Sequence, residues 1–297
     1  MPEPLYIGID GGGTSCRARL RDAAGALLGE GAGGPANARL DSRLVMQSIL
    51  SAGEEAARNA GLSGDDLRRA HAGFGLAGAG LRSAGARLLA EPHPFPSVAI
   101  ETDAYASWLG AHQGADGAIL ILGTGSCGLA VVGGRQVYVS GWGAEISDEA
   151  SGNWIGREAI RRALWAYDGR AAATALSAAI LKRFENSAEA IVAFATTARP
   201  ADYARLVPLV LEHAEKGDPL ALAIVGEATA DAVKMIERLI EAGAPSVCLI
   251  GGLSGPLTKW LPPSVAAHLS KPKGDALEGA LLLARRGAES VPKERSA

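Results

Sequence analysis

The chain contains few cysteines, few aromatic residues and no strong excess of either charge. Its 297 residues include three cysteines, 5% aromatic residues and a net charge of −3. The wide spacing of Cys16, Cys127 and Cys248 argues against a disulfide framework and against a zinc site built from close cysteine pairs. The balanced charge and scarce aromatics provide neither a basic surface nor a stacking surface for nucleic acid. We therefore expect small buried cysteines and no nucleic-acid partner.

Long hydrophobic runs are also missing. No apolar stretch approaches the roughly 20 residues that span a bilayer, and the N-terminus lacks the basic and apolar segments of a signal peptide. Hydrophobic residues make up 48% of the chain and charged residues of both signs 21%, which is typical of a folded chain rather than a disordered one. These features favour a cytoplasmic globular protein without membrane contact, built as one large domain or two. A homodimer is left open.

The first part of the chain predicts a strand meander followed by alternating helices and strands. Apolar segments separated by glycine turns predict antiparallel strands at residues 5–10, 16–21 and 26–31. Helices and strands then alternate, with helices at 40–61, 82–90 and 104–113 and strands at 69–76 and 98–102.

The strand–turn–strand pattern then begins again at residues 118–122. The segments 12–16 (GGTSC) and 123–127 (GTGSC) resemble two copies of one strand–turn–strand motif, which indicates an internal duplication. Further predicted helices cover residues 154–167, 174–184, 188–196, 202–215, 219–241 and 275–286, with a late strand at 247–250. The pattern predicts an α/β protein with a mixed sheet in each half and a ligand cleft between the halves.

Three glycine clusters follow predicted apolar strands, at residues 11–14, 123–126 and 251–255. Glycines after a strand expose backbone N–H groups that a phosphate can approach closely, and Thr14 and Thr124 add hydroxyl donors. No Gly-Lys-Ser/Thr follows, and no helix opens behind a GxGxxG, so P-loop and dinucleotide-binding domains are disfavoured. Asp10, at the end of the first strand, is suited to hold Mg²⁺ through water.

The ordered motifs carry a family resemblance. GIDGGGTSCRARL, TDAYASWLGAH, LGTGSCG, SGWGAEISDEASG and GDALEGALLLA occur in this order along nearly the whole chain. Together they resemble the BadF/BadG/BcrA/BcrD-type branch of the sugar kinase, heat-shock chaperone and actin superfamily, within it the N-acetylglucosamine and glucosamine kinases.

The resemblance implies two duplicated ribonuclease-H-like (actin-like ATPase) domains with an interdomain cleft. The first would comprise residues 1–110 and 278–297, and the second residues 111–277 with a helical insertion. ATP would lie between them, bound by two phosphate-binding motifs and one adenosine-binding motif. The phosphate contacts would come from Gly12, Gly13, Thr14, Gly123, Thr124 and Gly125, and the adenosine contacts from Gly251 and Gly252.

Asp103 lies between a predicted strand and a predicted helix. As a plain structural feature it would be a helix N-cap, a position that aspartate favours. As a functional residue it would be a general base that also contacts the sugar, because a kinase must take a proton from the attacking hydroxyl. The matching aspartate of the resembling kinases has this role, and we prefer the base.

A sugar pocket is expected from Asn37, Gly141, Trp142, Gly143 and Asp148. The resemblance implies that Asn37 and Asp148 hold sugar hydroxyls, and an aromatic flanked by glycines suits a carbohydrate face. Alternatively, Trp142 would belong to the core and Asp148 would cap the helix beginning near residue 151.

The sequence leaves open which group the acceptor sugar carries on C2, a free amine or an acetamide. A protonated amine would need a carboxylate, for which Glu145 and Glu149 are candidates, whereas an acetamido group would need an apolar wall and one donor. Between the two we favour N-acetylglucosamine. The expected reaction is transfer of the γ-phosphoryl group of Mg–ATP to O6 of an amino sugar.

Two rival functions use the same fold. An ATPase activator of an acyl-CoA reductase or dehydratase would need cysteines that hold an iron–sulfur cluster, and the three cysteines are badly placed for it. A chaperone-like or actin-like nucleotide switch would need an additional domain or surface for which the chain has no spare length. The cysteine-rich zinc motif of ROK-type sugar kinases is absent.

Overall fold

The computed structural model describes residues 3–80 and 82–289. The chain divides into two compact units, Met1–Ala115 with Pro272–Ala297, and Asp116–Lys271. The domain boundaries given above remain a prediction, and residues 290–297 of the predicted terminal segment lie outside the described residues. No helix of the described part is both long and apolar enough to cross a membrane.

Each unit contains one mixed five-stranded sheet. The strands are β1 (Leu5–Gly11), β2 (Cys16–Arg21), β3 (Leu27–Gly33), β4 (Ala70–Leu76), β5 (Val98–Thr102), β6 (Gly117–Leu122), β7 (Ser126–Val132), β8 (Arg135–Val139), β9 (Val247–Ile250) and β10 (Leu269–Ser270). The first sheet has the order β3-β2-β1-β4-β5, and the second, β10-β9-β6-β7-β8, repeats that order when followed from its other edge. In both, three antiparallel strands are continued by two strands parallel to the first. The predicted α/β class and internal duplication are therefore confirmed.

The described residues also form twelve α-helices. They are α1 (Ser42–Asn59), α2 (Arg82–Leu89), α3 (Asp103–His112), α4 (Gly152–Tyr167), α5 (Ala175–Arg183), α6 (Ala188–Thr197), α7 (Pro200–Ala204), α8 (Val207–Glu215), α9 (Pro219–Glu241), α10 (Ser254–Thr258), α11 (Pro263–Ala266) and α12 (Ala276–Glu289). The single helix predicted at 202–215 is wrong, because two helices, α7 and α8, occupy this region. Pro208 explains the break, since its ring would clash with the carbonyl of Ala204 in a continuous helix. The short elements α10, α11 and β10 were not predicted.

Helix α3 packs against α12 backbone to backbone. A Cβ added at Gly110 would overlap the carbonyl oxygen of Asp275, and a Cβ at Gly279 would overlap that of Ala106. Only glycine allows helices to approach so closely. The last described helix therefore holds α3 in place, and α3 begins at Asp103, the predicted base.

In the second unit, one buried carboxylate joins two helices. Asp218 caps α9 by accepting hydrogen bonds from the amides of Leu220 and Ala221 at 2.9 and 3.0 Å, and it also accepts from the amide of Leu176 in α5 at 2.8 Å. Burial alone would raise the pKa of Asp218, but these amides and the Thr174 hydroxyl together hold it below its usual value. The ionised form is therefore part of the folded structure.

Candidate active site

In the first unit, the loops at the ends of parallel strands β1 and β4 are hydrogen-bonded to one another and to the loop that follows β3. The amide of Ala77 donates to Gly11 O at 2.8 Å, and the amide of Ala36 donates to Gly12 O at 2.9 Å. The amide of Ala38 donates in turn to Ala77 O at 2.8 Å. These bonds bring the predicted phosphate loop and the loop of Asn37 to one edge of the sheet. Ligands of open α/β sheets bind at such an edge.

The turn between β1 and β2 leaves open space for a phosphate. Gly12 N donates to Ser15 O at 3.0 Å, whereas within the described residues the amides of Gly13 and Thr14 donate to no protein group. A Cβ at Gly13 would meet no atom within 4 Å, and Thr14 is exposed. Exposed amides beside vacant space fit the phosphates of ATP.

Asp10 forms an ion pair with Arg17 that was not predicted. The two residues are register partners across the β1–β2 hairpin, and Arg17 Nη2 lies 2.6 Å from Asp10 Oδ2. The Arg17 side chain is 58% exposed and that of Asp10 22%. A single accessible carboxylate fits Mg²⁺, which usually takes one or two carboxylates together with substrate phosphates and water. Among the described residues, no group of three or more His, Cys, Asp or Glu forms a metal site that is complete without a substrate.

Asp103 follows β5 and occupies the first position of α3. The cap of this helix is Thr102, whose hydroxyl accepts from the amide of Tyr105 at 3.0 Å, so the N-cap interpretation of Asp103 is wrong. Asp103 Oδ1 accepts from the amide of Ala104 at 2.9 Å. Burial raises the pKa of Asp103 to about 6, and the negative charge of Asp10 adds to this rise, against the lowering effect of the Ala104 amide. The resulting carboxylate is basic for its type and lies close enough to Asp10, which precedes the predicted phosphate loop, to be affected by its charge.

The orientation of the Asn37 amide follows from one hydrogen bond. The amide of Arg39 donates to Asn37 Oδ1 at 2.9 Å. Because a backbone N–H can only donate, the atom facing it must be the oxygen. In the described part of the chain no protein group accepts from Asn37 Nδ2, which therefore remains available as a donor.

The second unit holds its own glycine turn against the start of α4. Gly123 N donates to Gly125 O at 2.9 Å, while Gly152 N and Asn153 N donate to Gly123 O and Thr124 O at 2.8 and 3.0 Å. Within the described ranges, the amides of Thr124 and Gly125 have no protein acceptor, and Thr124 is exposed. The turn therefore presents two donors from a rigid backbone.

The third glycine cluster lies at the end of β9, which runs parallel to β6. Gly251 has φ +100°, and a Cβ there would overlap the carbonyl oxygen of Leu122. The same oxygen accepts from the amide of Leu253 at 3.0 Å. A Cβ at Gly252 would meet no atom within 4 Å. The structure thus places Gly251 directly beside the Gly123 turn, with open space at Gly252.

Asp148 lies against the same turn. Its carboxylate accepts from the amides of Gly143 and Ser126, and a Cβ at Gly125 would stand 2.7 Å from Asp148 Oδ2. Burial, assisted by the charges of neighbouring glutamates, raises its pKa against these hydrogen bonds. The interpretation of Asp148 as a helix cap is wrong, because Ser151 caps α4 through the amide of Trp154 at 3.2 Å.

Trp142 is on the surface. Its side chain is 72% exposed, so the alternative that it belongs to the core is wrong. Gly141 and Gly143 flank it with φ of +80° and +108°, a backbone conformation that other residues rarely adopt.

The Glu149 carboxylate is held in place by two hydroxyl groups. Its Oε2 accepts hydrogen bonds from the hydroxyls of Ser140 and Ser147 at 2.8 and 2.9 Å.

The cysteines fit the predicted filler role only in part. Cys16 and Cys248 are buried, whereas Cys127 is half-buried. Burial and the charge of Asp10 raise the pKa of the Cys16 thiol to about 11, and this thiol donates to Ser48 O at 3.4 Å. A thiol held in the neutral form is a poor metal ligand.

Comparisons with known proteins show which proteins this chain is similar to. The sequence profile of the BadF/BadG/BcrA/BcrD ATPase family matches residues 7–284. Glucosamine kinase GspK of Vibrio cholerae is 40% identical over 289 residues, covering 97% of this chain and 98% of that protein. A crystal structure from Chromobacterium violaceum, assigned as an N-acetylglucosamine kinase, has a TM-score of 0.89 and 37% identity, covering 95% of this chain and 99% of that one.

A more distant structure supports the fold alone. The ROK family glucokinase from Streptomyces griseus, in complex with glucose and AMPPNP, has a TM-score of 0.56 at 20% identity, covering 95% of this chain and 100% of that one.

Proposed function

The chain belongs to the BadF/BadG/BcrA/BcrD ATPase family, and on that basis we propose that it transfers the γ-phosphoryl group of ATP to O6 of glucosamine, with N-acetylglucosamine as the alternative acceptor. The predicted class, an ATP-dependent amino-sugar kinase, is confirmed by the Vibrio cholerae and Chromobacterium violaceum relatives. The observation that carries the proposal is the 40% identity to a glucosamine kinase along nearly the whole length of both chains.

The glycine turns are proposed to hold the nucleotide. The amides of Gly13, Thr14, Thr124 and Gly125 would donate to phosphate oxygens, and the open surface at Gly252 leaves room for adenosine. Mg²⁺, bound with the triphosphate, would offset the negative charge that builds on the transferred group.

Two side chains would accompany the metal. Asp10 would contact it through water, in the manner that Mg²⁺ prefers. Arg17 is exposed enough to exchange Asp10 for a phosphate oxygen when the nucleotide binds.

Asp103 is proposed as the general base. Its carboxylate would accept the proton of the 6-hydroxyl as that oxygen bonds to the γ-phosphorus and the bond from phosphorus to the bridging β–γ oxygen breaks, releasing ADP. A pKa of about 6 leaves the group ionised at neutral pH while making it more basic than an ordinary aspartate. Its position at the start of α3, fixed by the α3–α12 packing, supplies the orientation.

The acceptor would be held by groups of complementary polarity. Asn37 Nδ2 can only donate, so it would bind a hydroxyl through the oxygen lone pairs. The Asp148 carboxylate would accept hydrogen bonds from sugar hydroxyl groups. The exposed indole of Trp142 would cover an apolar face of the ring.

The charge of the loop at residues 145–149 supports glucosamine over N-acetylglucosamine, the reverse of the sequence-based preference. Glu145, Asp148 and Glu149 lie within five residues, and the first is exposed. Their mutual repulsion contributes to the raised pKa of Asp148. The cation Arg157 donates to the carbonyl oxygen of Ala144, the residue before this loop, at 3.0 Å and not to one of its carboxylates. A net negative loop attracts a protonated 2-amino group and gains nothing from an acetamide.

The competing functions are less well supported. The buried Cys16 and Cys248 thiols, one with a strongly raised pKa, do not suit an iron–sulfur cluster of an acyl-CoA dehydratase activator. We place the reaction in the cytoplasm, where ATP is supplied, and propose no nucleic-acid partner for a chain of net charge −3. A homodimer stays a prediction.

A coupled ADP-release assay tests the proposal. At fixed Mg–ATP, we expect glucosamine to give the highest kcat/KM in a panel with N-acetylglucosamine, N-acetylmannosamine and glucose. A higher kcat/KM for N-acetylglucosamine would overturn the choice of substituent but not the class. ATP hydrolysis that no amino sugar accelerates would overturn the function and favour a nucleotide switch.

A further inference from the structure

The turn that follows β4, residues 77–80, lies beside the proposed sugar residues and has no role so far. We propose that Gly78 is a positioning residue that fixes the orientation of the Asn37 amide toward the sugar. This inference rests on the proposed function, because it assigns Gly78 a role through a residue that would bind the acceptor.

Gly78 is packed directly against Asn37. Its φ is +78°, and a Cβ there would lie 2.5 Å from Asn37 Oδ1, 2.9 Å from Arg39 Cγ and 3.3 Å from Arg39 N. The Asn37 oxygen therefore occupies the space that any other residue at 78 would fill. It is the same oxygen that accepts the 2.9 Å hydrogen bond from the Arg39 amide.

Displacing this oxygen changes what Asn37 can offer a ligand. The bond to Arg39 N determines which end of the amide faces the backbone and leaves Nδ2 as the outward donor. If the oxygen is pushed out of its position, this bond is lost and both amide orientations become available. In a fraction of the molecules, the sugar hydroxyl then faces the acceptor Oδ1 of Asn37 in place of the donor Nδ2.

The two atoms nearest to a Cβ added at Gly78 are side-chain atoms, which can move. By contrast, a Cβ at Gly73 or Gly279 would overlap a main-chain carbonyl of the packed helices. A substitution at Gly78 therefore perturbs the amide of Asn37 more than the fold. This separates a positioning role from a purely structural one.

The turn is tied to both neighbouring site loops. Ala77 N donates to Gly11 O, and Ala77 O accepts from Ala38 N, each at 2.8 Å. A Cβ at Gly80 would stand 3.7 Å from Thr102 Cγ2, next to the proposed base. These contacts fix the turn relative to the phosphate loop and to Asn37, so Gly78 has little freedom to retreat.

The test compares Gly78→Ala with Gly61→Ala. Gly61 has φ +72° and no atom within 4 Å of an added Cβ, so its variant carries the same backbone strain without touching Asn37. We expect Gly78→Ala to raise the KM for glucosamine roughly three- to tenfold, as for loss of one neutral hydrogen bond, with kcat and the KM for ATP unchanged. Gly61→Ala should leave all three parameters at wild-type values.

Two further measurements separate this role from a general loss of structure. In an Asn37→Ala background, Gly78→Ala should add no further rise in KM, because residues that act through one another are not additive. Gly78→Asn tolerates positive φ and still adds a Cβ, so it should reproduce the KM effect if the alanine variant folds poorly.

The outcomes are distinct. An unchanged glucosamine KM in Gly78→Ala and Gly78→Asn, an equal rise in the Asn37→Ala background, or an equal rise in Gly61→Ala would each overturn the role of Gly78 while the wild type still phosphorylates the sugar. A wild type with no sugar-dependent turnover would instead overturn the proposed function and this inference with it.

Discussion

The hydroxyl of Thr102 accepts a hydrogen bond from the amide of Tyr105 at 3.0 Å and so caps the helix that begins at the next residue. Asp103 therefore does not cap this helix, although its position in the sequence suggests that it would. Its carboxylate is bonded to the Ala104 amide through Oδ1, and the amides farther along the first turn do not require it. A helix start that is capped by its neighbour can present a carboxylate to a substrate.

Replacing Asp103 with asparagine should abolish most of the turnover. Loss of a general base typically costs about 10²- to 10⁴-fold in rate, so we expect kcat for glucosamine to fall by that amount. Binding of ATP, measured by titration calorimetry, should remain within about twofold, because the proposed phosphate donors are backbone amides of other loops.

The matched control is Glu101→Gln, two residues earlier on β5. Its carboxyl is also partly buried, and burial raises its pKa, but no proposed contact involves it. We expect near-normal kcat. Comparable losses in both variants, or near-normal turnover of Asp103→Asn, would show that the base is misassigned.

The pH dependence of kcat/KM should follow the ionisation of Asp103. The folded pKa of about 6 is raised above the ordinary value, so the active, ionised base is present above pH 6 and is lost as the pH falls through it. Below that point kcat/KM for glucosamine should decline about tenfold per pH unit. A profile that stays level down to pH 5 would contradict the assignment.

Trp142→Ala should weaken sugar binding without weakening the fold. The side chain is 72% exposed, so little core packing is lost. We expect the KM for the sugar to rise about tenfold, as for the loss of about 1.4 kcal/mol of aromatic contact, with the melting temperature unchanged. Trp165→Ala, in α4 and partly exposed, serves as the control. A sugar KM equal to the wild type in Trp142→Ala would remove this residue from the site.

Replacing Asp218 with alanine should destabilise the protein. The buried carboxylate caps α9 and accepts from α5, and we expect a loss of about 2–4 kcal/mol in the free energy of unfolding near neutral pH. Glu237→Ala, at an exposed position of α9, should change it by less than about 0.5 kcal/mol. Urea unfolding followed by circular dichroism measures both.

The pH dependence of that loss has a defined sign. The folded pKa of Asp218 is lowered, so its contribution is complete above the unfolded value of about 3.9 and disappears as the pH falls through the folded pKa. The difference between wild type and Asp218→Ala should therefore shrink below about pH 4. A difference that is constant down to pH 2 would contradict the role of the charge.

The sequence was sufficient to predict elements that depend on local pattern. Alternating apolar residues with glycine turns predicted the strands, and the repeat at residues 12–16 and 123–127 predicted the duplication that the sheet orders confirm. The roles of Asn37, Asp103 and Asp148 remain predictions. What the structure adds is the removal of the competing interpretations for Asp103, Asp148 and Trp142, since capping partners and exposure depend on the three-dimensional contacts.

Three further features were not predicted, each for a different reason. The Arg17–Asp10 pair could have been anticipated, because both residues lie at equal distance from the centre of a predicted hairpin. The contact of Gly78 with Asn37 could not, since it depends on how two loops about 40 residues apart are hydrogen-bonded and packed together. Strand β10 has only two residues and leaves no periodic signal.

Phosphorus-31 NMR of the product tests the central claim most directly. With the wild-type protein, ATP, Mg²⁺ and glucosamine, we predict one sugar phosphate per ADP, with the phosphorus coupled to the two protons on C6. With Asp103→Asn the same product should form at least about 100-fold more slowly. Inorganic phosphate as the only new signal, or a phosphate coupled to the C1 proton, would contradict the account.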